Sequence, residues 1–163
     1  GKNFKSAILS MTFSTGGSAQ DMEKALEYLF SQADKAIEAG SNILILSDRE
    51  AGENRSPLPA LLSVAGLHHH LIRRGTRMRV GLVVESGEPR EMMHFALLIG
   101  YGAGAVCPYL AYETVAETAK ENIFVKDINL PDALKNYIKS TRKGLFKIIA
   151  KMGISTIQSY RGA

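Results

Sequence analysis

Three consecutive histidines, His68, His69 and His70, stand in the middle of the chain within "LPALLSVAGLHHHLIRR". Imidazole binds metals and exchanges protons near neutral pH, so the triplet is the first place to look for chemistry. Spacing argues against a shared ion. Successive side chains on a helix diverge by about 100°, whereas two ligands on one helix need i,i+3 or i,i+4 spacing. No glutamate stands where an H-E-x-x-H metal site requires one. Against an apolar stripe of Leu58, Leu61, Leu62, Ala65 and Ile72, His69 falls centrally, with His68 and His70 to either side. His69 is therefore expected to be buried and hydrogen-bonded, and no metal site is expected. His94 has no partner nearby in sequence.

Acid and base groups occur in "SDRE" and "VESGEPRE", which supply Asp48, Arg49, Glu85 and Glu88. General acid–base catalysis uses such groups, but helix starts and loop ion pairs use them too. Cys107 lies in an apolar run with no neighbouring histidine and reads as a small buried hydrophobe. Gly100, Gly102 and Gly104 follow a helix and precede a strand. That order is the reverse of a dinucleotide fingerprint, so they read as a helix stop and turn.

The elements that must position these groups follow from periodicity. Strands are expected in "KSAILSMTF", "NILILS", "RVGLVVES", "GAVCPYL" and, near the end, "ISTIQSY". Helices are expected in "AQDMEKALEYLFSQADKAIEAG", with Gly40 as its C-terminal stop, and in the histidine segment, closed by Gly75. Further helices are expected in "PREMMHFALLIGY", in "ETVAETAKEN" and in a lysine-rich segment reaching Gly153, with "DREAGENRSP" as a polar loop. Strands alternating with helices imply an α/β fold of repeated βα units with a mainly parallel sheet, resembling part of a β/α barrel. In such folds function gathers at the C-terminal strand ends, here Ser47, Asp48, Arg49, Glu85, Ser86, Glu88, Pro108 and Tyr109.

Bulk properties narrow the classes. The 163 residues are 45% hydrophobic, enough for one ordinary domain with a core. No apolar run is long enough to span a membrane, and no membrane partner is expected. One cysteine leaves no internal disulfide and no all-cysteine cluster within this sequence. Lys135, Lys139, Lys143, Lys147 and Lys151 recur every four residues and draw a basic stripe on one helix face. Without an accompanying nucleic-acid module this reads as a solvated face, opposite Leu134, Ile138, Leu145 and Ile148. The chain starts at Gly1 and stops just after the expected last strand, as a piece of a longer polypeptide would.

Taken in order, "NILILSDRE", "LPALLSVAGLHHHLIRRG", "RVGLVVESGEPREMMHFALLIGYGAGAVCPYLAYET" and "KMGIST…QSYRGA" resemble the large chain of glutamate synthase across nearly the whole length. That resemblance implies a multi-domain enzyme that makes two L-glutamates from L-glutamine, 2-oxoglutarate and reductant. Ammonia released in a glutaminase domain passes to an FMN-binding barrel, with electrons from NAD(P)H or ferredoxin through an iron–sulfur cluster. Residues 1–130 would then be the non-catalytic central domain, which connects the two catalytic domains and helps wall the ammonia path. Residues 131–163 would be a connecting helix and the first strand of the FMN domain. Met152, Gly153, Ser155, Thr156 and Gln158 would form one rim of the FMN site. The implied partners are the glutaminase and FMN domains and an electron donor, in the cytoplasm or, in a photosynthetic eukaryote, a plastid. No cofactor is expected on this segment alone. A self-standing β/α enzyme acting on a small anionic substrate through Asp48, Arg49, Glu85 and Glu88 is the alternative.

Overall fold

A computed structural model describes residues 3–16, 18–121, 123 and 128–163. Four strands, β1 (Ser6–Ser10), β3 (Ile43–Ser47), β5 (Gly81–Glu85) and β6 (Ala105–Cys107), form one sheet in that order, all parallel. Between them run α1 (Ala19–Glu38), α2 (Ala60–Arg73) and α3 (Met92–Gly100); α4 (Tyr109–Lys120) and α5 (Leu130–Lys151) follow β6. The expected parallel βα framework is therefore present. Asn122, at the end of the expected polar helix, lies outside the described residues.

Alternation along the strands sets the core. Leu9, Leu44, Leu46, Leu82 and Val84 point to one face, where α1 brings Leu29, Ala33 and Ile37 and α2 brings Val64, Leu67 and Leu71. The opposite face carries the register row Ile8, Ile45 and Val83, and Ile8 is 70% exposed. A second cluster joins Ala96 of α3 to Leu145 and Ile149 of α5 and to Tyr160. All five lysines of the stripe are exposed on α5, as expected of a solvated face.

Four expectations need correction. The first apolar run is two strands: β1 stops at Ser10, and β2 (Thr12–Ser14) turns away to pair antiparallel with β4 (Arg55–Pro57). Met11, fully buried at the bend, anchors the change of direction, and the supposed polar loop thereby contains a strand. Next, α4 begins at Tyr109, because Pro108 takes the N-cap position and ends the strand early. His69 is exposed. The buried stripe of α2 is Ala60, Ser63, Val64, Leu67 and Leu71, and His69 lies on its far side, while Leu62 and Ile72 face solvent. Finally, "ISTIQSY" makes no strand: Ile157–Tyr160 form a helical turn, α6. The Thr156 hydroxyl oxygen accepts from Ser159 N at 3.3 Å, and this cap overrides the β-branched composition.

Candidate functional site

At the C-terminal end of the sheet, register places Ser47, Glu85 and Cys107 side by side. The hydroxyl of Ser47 donates to Glu85 Oε2 at 2.7 Å, and Arg49 Nε donates to Glu85 Oε1 at 2.7 Å. The Arg49 guanidinium also lies 4.1 Å from the centre of the Tyr109 ring and 3.8 Å from Glu113. One layer deeper, Asp48 is 3% exposed and accepts from Ser86 Oγ at 2.5 Å and from Gly87 N at 3.2 Å. Ser86 Oγ in turn accepts from Glu88 N at 3.1 Å, and Glu88 Oε2 accepts from Ala60 N at 3.1 Å at the start of α2. Ser10 donates to Glu50 at 2.7 Å, and Arg55 bridges Glu50 and Thr12.

The groups expected at the strand ends are thus brought together, and they are engaged with one another. Arg49, then Ser47, hold the Glu85 carboxyl below its ordinary value of 4.5. Burial, then the negative charge of Glu85, push the Cys107 thiol up. Burial, then a hydrogen bond to Asp48, push Tyr109 up to about 12. At neutral pH the site therefore holds an ion-paired carboxylate, a protonated thiol and a protonated phenol. A general acid or base works best with a pKa near the working pH, and a cysteine nucleophile needs its thiolate. Glu85, Cys107 and Tyr109 all depart in the unhelpful direction.

The histidines diverge. Nδ1 of His68 accepts from Arg77 Nε at 2.8 Å, and Arg77 donates further to Val80 O and Gly102 O, each at 2.9 Å. His69 meets His68 edge to face at 5.3 Å. His70 stacks on Phe30 at 5.0 Å and bonds Asp34 at 3.0 Å, which Arg74 also approaches at 3.4 Å. Burial, then Arg77, keep His68 below its ordinary value of 6.5. Gly102, at φ 118°, backs directly onto the His68 ring, where a Cβ would collide. His94 caps its own helix, with Nδ1 accepting from Arg90 N at 3.1 Å.

Residues expected at a flavin rim sit at the opposite end of the sheet from Glu85, after α5. Met152, Gly153, Ser155, Thr156 and Gln158 are all exposed. Open space surrounds Gly153, whereas the Thr156 hydroxyl is committed to Ser159. Sequence reasoning missed Arg77 and Arg161, which stand beside Gly102 and Gly104 respectively. Their separation along the chain left no local signal.

Four parallel strands, with helices packed against one face, define a β/α-barrel-like architecture. The L230A mutant of flavocytochrome b2 with benzoylformate shares it, with a TM-score of 0.65 over 89% of this chain and 37% of that one, at 16% identity. The chain belongs to the glutamate synthase central domain family, whose model matches residues 1–163. It is 48% identical over 161 residues to the glutamate synthase [NADPH] large chain of Bacillus subtilis, covering 99% of this chain and 10% of that protein. Ferredoxin-dependent glutamate synthase 2 of Synechocystis is 47% identical over 154 residues, covering 87% and 10%. Glutamate synthase [NADH] of Schizosaccharomyces pombe is 39% identical over 161 residues, covering 99% and 8%. The chain spans about a tenth of the length of these curated relatives.

Proposed function

We propose that this chain is the non-catalytic central segment of a glutamate synthase, which converts L-glutamine, 2-oxoglutarate, two electrons and two protons into two L-glutamates. Residues 1–130 serve as the domain that links and orients the glutaminase and FMN-binding domains and helps form the ammonia path, and residues 131–163 lead into the FMN domain. The observation that carries this reading is the closed polar network at the strand ends: Ser47, Arg49, Glu85, Asp48 and Ser86 use their polar atoms on each other. Membership of the glutamate synthase central domain family supports the reading.

The tail fits one edge of a flat ring and no more. Gly153 has nothing within 4 Å of a built Cβ, so a ring could approach its backbone, and Met152, Ser155 and Gln158 are accessible beside it. Thr156 shapes the turn through its cap. FMN, when bound, supplies hydride transfer. The phosphate- and substrate-binding groups, the iron–sulfur cluster and the contact with ferredoxin or an NAD(P)H-oxidising partner belong to other parts of the polypeptide. No helix among the described residues is long and apolar enough to cross a membrane. The Arabidopsis thaliana relative is a chloroplastic/mitochondrial protein; the setting we infer is the cytoplasm, or a plastid in a photosynthetic eukaryote.

Two assays test this. The purified chain should form no glutamate from glutamine, 2-oxoglutarate and reductant, and measurable synthesis by it alone would refute the assignment. In the full polypeptide, a flexible Gly-Ser insertion ahead of α5 should uncouple the halves, with glutamine hydrolysis outrunning glutamate formation. Unchanged coupling would contradict the linking role.

A further inference from the structure

We propose that the N-terminal end of the sheet carries an oxyanion-binding site, built from Arg77, Arg161 and His68, that takes a phosphate or carboxylate group. A hollow of about 340 Å³ opens there, lined by His68, His69, Gly100, Tyr101, Tyr160 and Gly162. Behind its His68 wall stand two guanidinium groups, Arg77 bonded to His68 and Arg161 close enough for its charge to act on both. Arg77 is fixed by His68, Val80 O and Gly102 O. Arg161 is held by the tail, since Gly162 N donates to Gly100 O at 2.9 Å and Tyr160 packs against Gly100. Its Nη2 lies 3.7 Å from where a Cβ on Gly104 would stand.

Charge is unbalanced at this point. The arginine–carboxylate pairs among the described residues belong to Arg49, Arg55 and Arg74, leaving Arg77 and Arg161 without one. Nε of Arg161 is buried with no acceptor. A buried, unused donor is costly, and two like charges in a half-buried hollow disfavour one another until an anion enters. The carbonyl end of α3 offsets part of the charge through Gly102 O, but an oxyanion would match two guanidinium forks directly. Because Arg77 donates to Nδ1 of His68, neutral His68 carries its proton on Nε2 and adds a donor. Burial, then the positive charges of Arg77 and Arg161, lower the His68 pKa, and that positive field is the one an anion would feel. The anion can be a free ion or an Asp or Glu side chain from elsewhere in the longer polypeptide.

The test is a titration of inorganic phosphate into the 163-residue chain, following the imidazole resonances of His68. Circular dichroism would check that each variant folds. Saturable binding is expected, weakened about tenfold or more in Arg161→Met, less in Arg161→Lys, and unchanged in Lys139→Met on the exposed stripe. Drift without saturation, equal binding by Arg161→Met, or equal loss in Lys139→Met would overturn the site. Repeating the titration with isotope-labelled histidine in the full polypeptide separates the two sources. A phosphate response assigns a free oxyanion. A His68 signal already at the bound position and unresponsive assigns a protein carboxylate. A signal at the free position and unresponsive would also overturn the site.

Discussion

The two ends of one sheet are built on opposite plans. At the C-terminal end, where β/α folds usually place their chemistry, Glu85, Arg49, Asp48 and Ser86 are matched donor to acceptor. At the N-terminal end, Arg77 and Arg161 gather positive charge beside His68, with no ion-paired carboxylate among the described residues, and one buried donor is unused. The position of a polar group in a fold therefore does not identify it as functional. What matters is whether its hydrogen bonds and charge are already satisfied by its neighbours. By that measure the polar groups at the conventional active-site end are committed to one another, and the opposite end is the one we propose takes a partner.

The largest expected effect comes from opening the C-terminal network at its most buried point. Asp48→Ala leaves Ser86 Oγ and Gly87 N without their acceptor, and should cost about 3 kcal/mol in urea unfolding. An effect near zero would mean that the network is not holding this end together. At the other end, Gly102→Ala places a Cβ against His68 in a backbone conformation that suits glycine, and should cost about 2 kcal/mol. It should also release the His68–Arg77 bond, seen as a displaced His68 imidazole signal.

Smaller effects lie in pH. Glu85 has a depressed folded-state pKa, so its contribution is present above the unfolded value of 4.5 and is lost as pH falls through the folded one. Glu85→Gln should flatten that acid-side slope. His68 is also depressed, from 6.5, so the unfolded chain binds the extra proton first and stability declines as pH drops below 6.5. His68→Gln should remove this gentler slope, and phosphate should alter the slope only in the chain that retains Arg161. Equal slopes with and without His68 would show that the N-terminal cluster exerts no such pull.

Much of the framework was legible in the sequence because strand and helix periods are local. The apolar runs at 43–47 and 81–85 could only be buried strands, and Gly40 and Gly75 adopt positive φ where helix stops were expected. Legibility failed where two local answers competed. Helix α2 carries leucines on more than one face, so the choice of Val64, Leu67 and Leu71 over Leu61, Leu62 and Ile72 as its buried face was decided by the sheet it packs on. "ISTIQSY" has strand composition, yet one threonine cap and the packing of Tyr160 beside Gly100 make it helical. The strand-end groups were located correctly, but their mutual satisfaction was invisible, because Ser47 meets Glu85 and Asp48 meets Ser86 only across the sheet. The approach of Arg161 to the Arg77–His68 pair is longer-range still.

The most direct test of a non-catalytic C-terminal end is the steady-state rate of glutamate synthesis, at neutral pH, by the full polypeptide carrying Glu85→Gln. With Glu85 serving only its neighbours Ser47 and Arg49, kcat and KM should stay within about twofold of the unaltered enzyme. A fall in kcat of about 100-fold or more, with unfolding at neutral pH unchanged, would make Glu85 a catalytic group and contradict the assignment.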